Sequence, residues 1–146
     1  MMCNILVING PNLNLLGQRE PDIYGKLTLN EMNETITDHF KTSPVHIDFF
    51  QSNYEGDIIT KIQESINFYS AIVINPGAYS HYSIAILDAI RSIEIPVIEV
   101  HLSNIYSREV YRNTSVTSSG CVGVISGFGY YGYIMAVNAI IQRLGV

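Results

Sequence analysis

Apolar residues follow two patterns that alternate along the chain. Short continuous runs, such as residues 71–74, are typical of strands buried on both faces of a sheet. Between the runs, apolar residues recur every three or four positions, as at Leu29, Met32 and Ile36, which is typical of an amphipathic helix. The patterns predict strands at about 4–8, 45–50, 71–74, 97–100 and 122–125, and helices that include residues 29–40 and 58–66 and that cover about 82–92 and 130–144.

The alternation of strands and helices predicts the architecture. Strands that are separated by helices indicate a parallel sheet with helices on both faces. Five such units predict an α/β fold of the doubly wound, flavodoxin-like kind. A length of 146 residues suits one domain, and no repeat or linker interrupts the pattern, so residues 1–146 are predicted to form a single domain.

Composition narrows the range of partners. Hydrophobic residues make up 47% of the chain, enough for a substantial core, and the formal net charge is −5. This charge argues against a broad surface for nucleic acid or anionic membranes, which requires clustered Lys and Arg. No leader opens the chain and no apolar run reaches the ~18 residues that span a bilayer. We therefore expect a cytoplasmic protein that binds neither nucleic acid nor membrane.

Polar residues are concentrated after three of the predicted strands. The first strand runs into Asn-Gly-Pro-Asn at 9–12, the third into Asn-Pro-Gly-Ala at 75–78, and the fourth into His-Leu-Ser-Asn at 101–104. Ligands of doubly wound proteins bind outside the carboxyl ends of the strands. A tight turn would explain any one of these loops. Three loops at the same edge, with histidines and arginines close by, favour a polar ligand site.

The residues near these loops leave several chemistries to weigh. Glu99 and His101 alternate onto one strand face and, with His81, suggest metal ligation, but positions i and i+2 do not fix a coordination geometry. Ordinary hydrogen bonding explains these side chains at least as well. Cys3 and Cys121 lie outside the polar loops, which indicates free thiols rather than a catalytic nucleophile.

Two further sequence features argue against alternative chemistries. Lys41 and Lys61 fall in amphipathic helices, which leaves only Lys26 near a polar loop and argues against a Schiff-base mechanism. Residues 127–132 match G-x-G-x-x-G. A dinucleotide site also requires a further strand and an acidic residue after this motif, and the sequence has neither there. These glycines are predicted to turn the chain tightly into the last helix.

Several motifs are similar to those of type II 3-dehydroquinate dehydratases. The similarity begins with Asn-Gly-Pro-Asn-Leu-Asn-Leu-Leu-Gly at 9–17, Arg-Glu-Pro at 19–21 and Tyr-Gly at 24–25. It continues with Gln-Ser-Asn at 51–53, Asn-Pro-Gly-Ala-Tyr at 75–79, Pro-Val-Ile-Glu-Val-His-Leu-Ser-Asn at 96–104 and Gly-Phe-Gly at 127–129. The chain resembles this family from end to end.

The resemblance implies a reaction and its catalytic residues. Members dehydrate 3-dehydroquinate reversibly to 3-dehydroshikimate by anti elimination through an enolate, without a cofactor. The reaction usually belongs to the shikimate pathway of aromatic amino acid biosynthesis, and quinate breakdown shares it. Tyr24 is implied to be the base, acting as a phenolate, with Arg19 as the cation that stabilises the phenolate. A tyrosine of ordinary pKa is only about 0.1% ionised at neutral pH, and one cation about 4 Å away supplies roughly 4 kcal/mol at an effective dielectric of 20.

The remaining implied roles concern the acid, the enolate and substrate binding. His101 is implied to be the general acid, with Glu99 orienting or charging its imidazole, and Asn12 to stabilise the enolate through a water molecule. Asp88 is implied to reach a neighbouring subunit in a dodecamer built from trimers. A lid loop at about 18–26 is expected to cover the site. The other implied substrate-binding residues are Asn75, Ala78, His81, Leu102, Ser103, Arg108 and Arg112.

Departures from the family pattern and other classes of function are also visible. Tyr54 and Asn113 stand where the family usually has His, Tyr82 replaces a common Thr, and Ser119 replaces a common Pro.

A non-enzymatic binding or signalling module of flavodoxin-like fold is the alternative, but it would need an acidic cluster after the first strand. A flavin-binding electron carrier would need a loop rich in Ser and Thr there. Asn-Gly-Pro-Asn fits neither.

Overall fold

Five parallel strands form the centre of the computed structural model, which describes residues 2–146. They lie in the order β2-β1-β3-β4-β5 and every neighbouring pair is parallel. This is the flavodoxin-like order, so the predicted fold class is confirmed. Each predicted strand agrees with the observed one to within one residue at either end. The strands are β1 (Cys3–Asn9), β2 (Val45–Gln51), β3 (Ala71–Asn75), β4 (Val97–His101) and β5 (Gly123–Ser126).

Within residues 2–146, five α-helices connect or follow the strands. The Thr28 hydroxyl caps α2 by accepting a hydrogen bond from the Glu31 amide at 3.2 Å, as the Thr-x-x-Glu pattern predicted. The prediction of a helix from residue 82 was wrong by two residues, because the Ser83 hydroxyl caps the helix by accepting from the Ile86 amide at 3.0 Å. The helices are α1 (Pro21–Tyr24), α2 (Leu29–His39), α3 (Glu55–Ser65), α4 (Ile84–Arg91) and α5 (Tyr131–Leu144).

Both faces of the sheet are covered. Successive side chains of β1 point to opposite faces: Ile5 and Val7 pack in the layer that contains residues of α2 and α5, whereas Leu6 and Ile8 pack in the layer that contains residues of α3 and α4. This double burial explains why the central strands are continuous apolar runs. Within residues 2–146, no helix has both the length and the apolar character needed to cross a membrane.

Glycines determine how closely the loops at the carboxyl edge approach one another. Gly10 follows β1, and a Cβ at this position would lie 2.4 Å from the carbonyl oxygen of Pro76. Gly77 follows β3 with φ +61°, and its Cβ would lie 3.1 Å from the Pro11 carbonyl oxygen. The two loops therefore interlock at two points where only glycine fits. After β5, at the same edge of the sheet, Gly127 and Gly129 also have positive φ, so the predicted turn into the last helix is confirmed.

Replacing Gly10 by Ala should destabilise the fold by about 1–3 kcal/mol, because the added methyl group meets backbone rather than a movable side chain. Gly56→Ala is the matched control, since Gly56 lies in α3 with nothing within 4 Å of the added Cβ. This control should be neutral or stabilising by up to about 1 kcal/mol. Urea unfolding followed by circular dichroism measures both values. Equal stability of the two variants would contradict the interlocked geometry.

Candidate active site

Loops after β1, β3 and β4 line a concave, open cleft, the kind of surface on which small molecules bind. Its position at the carboxyl edge of the sheet is the one that the polar loops predicted. Glu99 and Asp88 are the only predicted site residues outside its lining. The predicted residues that line the cleft are Asn12, Arg19, Tyr24, Asn75, Ala78, His81, His101, Leu102, Ser103, Arg108 and Arg112.

Tyr24 lies at the end of the one-turn helix α1, with arginines on its ring. The guanidinium carbon of Arg19 is 5.7 Å from the ring centre and that of Arg108 is 5.2 Å from it. The Arg108 side chain is only 13% exposed, whereas that of Arg19 is 44% exposed and has an ion-pair contact of 3.6 Å with Glu20. Arg108, which the motif resemblance placed with the substrate-binding residues, is therefore the more buried of the two cations next to Tyr24.

A third arginine belongs to the same cluster. Burial lowers the pKa of Arg112, but the hydrogen bond that Arg112 donates to Glu109 and the negative charge that Tyr24 can carry outweigh burial, so the pKa is raised. Arg112 Nε donates to Glu109 Oε2 at 2.8 Å, and Arg108 Nε lies 3.9 Å from the same oxygen. Glu109 thus links Arg108 and Arg112, the two arginines of the segment after β4.

His101 lies at the end of β4 and is held from behind by Glu99. The Glu99 side chain is completely buried, and its Oε2 accepts a hydrogen bond from His101 Nε2 at 2.8 Å. Burial raises the pKa of Glu99, but hydrogen bonds from His101, Ser115 and Thr117 outweigh burial and lower the pKa. The carboxyl group is therefore ionised at neutral pH. An ionised carboxylate only accepts, so Nε2 carries a hydrogen and Nδ1 is the ring nitrogen left for the cleft.

His81 is oriented by the segment that follows Arg112. Its Nδ1 lies 2.8 Å from the carbonyl oxygen of Thr114, which can only accept, so Nδ1 carries the hydrogen and Nε2 is free to meet a ligand. The rings of His81 and His101 are stacked with centres 6.4 Å apart. The two histidines therefore form one wall of the cleft.

Asn12 is fixed by its backbone and by a loop from the neighbouring strand. Its φ is +69°, a left-handed conformation that Asn tolerates better than most residues. Its amide nitrogen donates to Asn53 Oδ1 at 3.0 Å, and Gln51 Nε2 donates to the same oxygen at 3.1 Å. The Gln-Ser-Asn motif after β2 thus holds the loop after β1, which leaves the Asn12 side chain at the cleft.

Asn75 is held from within the core by a residue that sequence patterns did not single out. Asn75 Nδ2 donates to the hydroxyl of Tyr133 at 2.9 Å, and this hydroxyl donates to Asn9 Oδ1 at 2.6 Å. Burial raises the pKa of Tyr133, against a smaller lowering by the Asn75 hydrogen bond, so the hydroxyl stays protonated. Tyr133 read as an ordinary core residue of α5, and no local signal distinguishes it.

Asp88, Lys26 and Cys121 lie outside the lining of the cleft. Asp88 is on the exposed face of α4 and outside the cleft of its own chain. Lys26 lines a neighbouring cavity behind the 18–26 loop rather than the cleft. Burial raises the pKa of the Cys121 thiol to about 12, with a smaller contribution from the charge of Glu99, so this thiol is a poor nucleophile at neutral pH.

Comparison with known proteins identifies relatives along nearly the whole chain. The model of the family described as Dehydroquinase class II matches residues 3–141. A 3-dehydroquinate dehydratase of Clostridium botulinum (strain Loch Maree / Type A3) is 68% identical over 145 residues, which are 99% of this chain and 99% of that protein. The 3-dehydroquinate dehydratase of Clostridium perfringens is 54% identical over 141 residues, which are 96% and 98% of the two chains.

A solved structure has the same fold. The type II dehydroquinase from Butyrivibrio crossotus DSM 2876 superposes with a TM-score of 0.93 at 49% identity, and the alignment covers 94% of this chain and 97% of that one. The doubly wound fold and the polar cleft at its carboxyl edge define an α/β enzyme for a small polar substrate. The chain belongs to the class II dehydroquinase family. The family resemblance of the motifs is thereby confirmed.

Proposed function

We propose that this chain catalyses the reversible dehydration of 3-dehydroquinate to 3-dehydroshikimate, in the shikimate pathway of aromatic amino acid biosynthesis. The observation that carries the proposal is the pairing of two opposed functions in one cleft. The guanidinium groups of Arg19 and Arg108 lie on the ring of Tyr24, and Nε2 of His101 donates a hydrogen bond to the buried Glu99 carboxylate. A base and an acid in one cleft are what an elimination requires.

The proposed reaction begins at Tyr24. The phenolate removes the hydrogen next to the ketone, and the electron pair of that C–H bond moves to the carbonyl oxygen as an enolate, which Asn12 stabilises through a water molecule. The enolate then reforms the carbonyl group as the C–O bond of the hydroxyl breaks on the opposite face. His101 gives its proton to that oxygen, and water leaves. Tyr24 has gained one proton and His101 has lost one, so solvent resets both groups.

The other cleft residues are proposed to bind the substrate. Asn75, His81 and Arg112 suit the ring hydroxyls, because each presents a hydrogen-bonding atom to the cleft. The backbone amides of Leu102 and Ser103, with the Ser103 hydroxyl, suit the substrate carboxylate, and Ala78 contacts the ring. Residues 18–26 form a lid, and Arg108 holds this lid through the Tyr24 ring at 5.2 Å.

The reaction is tested by mixing the purified protein with 3-dehydroquinate and recording ultraviolet absorbance near the enone band. We expect absorbance to rise with time. Sodium borohydride added during turnover should leave the activity and the protein mass unchanged, because in the described chain no lysine lines the cleft. A reduced adduct on Lys26 would replace the enolate mechanism by an imine mechanism, and no absorbance change would refute the function itself.

We further propose that the chain acts in the cytoplasm as a dodecamer built from trimers, in which Asp88 reaches the cleft of a neighbouring subunit. Large apolar side chains beside the cleft support an interface there, since Tyr106 is 66% exposed, Val110 82% and Tyr111 67%. Asp88 is exposed, and its charge is opposite to that of the arginine cluster around Tyr24. Its carboxylate would suit Arg108 of an adjacent subunit.

A further inference from the structure

Two hydroxyl groups bind the buried carboxylate behind His101. Thr117 Oγ1 donates to Glu99 Oε1, and the Thr117 residue is completely buried. Ser115 Oγ donates to Glu99 Oε2 at 2.6 Å, the same oxygen that accepts from His101 Nε2 at 2.8 Å. Glu99 therefore accepts three hydrogen bonds, of which only one comes from the histidine.

The direction of the hydroxyl hydrogens follows from their other contacts. Ser115 Oγ accepts a hydrogen bond from the Ser118 amide at 3.1 Å, which leaves its own hydrogen for Glu99. Thr117 Oγ1 faces a carboxylate oxygen, which can only accept. Both hydroxyls therefore act as donors. A carboxylate without solvent contact is costly unless such donors compensate it, and removing one partner leaves a buried charge partly unsatisfied.

Residues 114–117, the segment that carries Ser115 and Thr117, also contact the element that carries His81. The Thr114 carbonyl oxygen accepts from His81 Nδ1 at 2.8 Å, and the Val116 amide donates to the Ser80 carbonyl oxygen. Residues 114–117 thus contact both histidine-bearing elements through consecutive residues. A short segment with this set of contacts sets the position of the carboxylate relative to the ring.

We propose that Ser115 and Thr117 are positioning residues that hold Glu99 as a carboxylate against His101 and so prepare the general acid. The proposal rests on the proposed function, because the acid assists the departure of the hydroxyl. Neither residue lines the cleft, so both act through Glu99. Their effect belongs to the step in which water leaves and not to the removal of the hydrogen by Tyr24.

Thr117→Val and Thr117→Ser form a matched pair that separates the hydroxyl from packing. Valine keeps the shape and removes the donor, whereas serine keeps the donor and removes a methyl group. We expect Thr117→Val to lower kcat roughly 10- to 100-fold, as the loss of one hydrogen bond to a charged group implies, with KM little changed. The kcat of Thr117→Ser should stay within a fewfold of the wild-type kcat. The reverse order would show a packing role and overturn the proposal.

A second readout locates the affected step. In deuterium oxide, exchange of the hydrogen next to the ketone reports enolate formation, and enone absorbance reports dehydration. In Thr117→Val the ratio of exchange to dehydration should rise, because the enolate forms but loses its hydroxyl slowly. An equal fall of both rates would overturn the proposal. Absence of both reactions in the unchanged enzyme would instead refute the proposed function.

Ser115→Ala provides an independent variant if Thr117→Val does not fold. It removes the second donor to Glu99 at a partly buried position. It should lower kcat in the same direction and raise the same ratio. In a Glu99→Gln background, Ser115→Ala should cause little further loss, because the carboxylate through which it acts is gone. Wild-type kcat in Ser115→Ala, or fully additive losses with Glu99→Gln, would overturn the role of Ser115 as a positioning residue.

Discussion

Replacing Tyr24 by Phe should lower kcat by about 10²–10⁴-fold, the contribution typical of a general base, while KM changes little. The substitution removes one hydroxyl and keeps the ring on which Arg19 and Arg108 lie. Loss of rate therefore measures the base and not the packing of the lid. Steady-state dehydration of 3-dehydroquinate, recorded by enone absorbance, gives both constants.

Tyr54→Phe is the matched control for this experiment. Tyr54 is 73% exposed and lies outside the cleft, so the same loss of one hydroxyl should leave kcat unchanged. Exchange of the substrate hydrogen with deuterium oxide should also stop in Tyr24→Phe, since removal of that hydrogen is the step that Tyr24 performs. Near-normal kcat in Tyr24→Phe would exclude Tyr24 from the chemistry.

Replacing Arg19 by Ala should remove most of the activity at neutral pH, and raising the pH should restore part of it. A cation near a phenolate favours the charged form, so without the cation the phenolate forms only at higher pH. In a plot of kcat against pH, the rising limb should therefore move to higher pH. Arg19→Lys should be intermediate, because Lys keeps the charge but lacks the rigid guanidinium group.

Arg108→Ala should move the same limb in the same direction. Its guanidinium carbon is 5.2 Å from the centre of the Tyr24 ring, against 5.7 Å for Arg19, and its side chain is less exposed. Because solvent screens a buried charge less, we expect the larger displacement of the limb for Arg108→Ala. Arg143→Ala is the control: it changes the net charge by the same amount, but Arg143 lies in the last turn of α5 and outside the cleft. This variant should leave the limb in place.

A different outcome would assign the arginines another task. If Arg19 mainly holds the lid, its loss should let residues 18–26 move away with Tyr24. Activity would then fall by a similar factor at every pH, and the limb would stay in place. An unmoved limb in both arginine variants would thus exclude electrostatic stabilisation of the phenolate, and would leave these residues as contacts that hold the lid closed.

The secondary structure and the place of the cleft could be predicted from the sequence because both depend on local patterns. Continuous apolar runs at 71–74 and 97–100 require burial on both faces, and this requirement alone implies a covered parallel sheet. The polar residues after β1, β3 and β4 then fall at one edge, because parallel strands all end on the same side. Motif resemblance supplied Tyr24 and His101, which line the cleft as expected.

Contacts between residues distant in sequence were decided only by the tertiary structure. Thr117 and Ser115 read as loop residues, yet their hydroxyls bind a carboxylate 18 and 16 positions away. Tyr133 was predicted to be an ordinary core residue, yet its hydroxyl donates a hydrogen bond to Asn9, which is 124 positions away in the sequence. Apolar periodicity fixes which face of an element is buried, but it carries no information about the partner of a buried polar atom. That partner is set by how α5 and the segment after Arg112 pack on the sheet, and by the cost of leaving buried donors and acceptors without one.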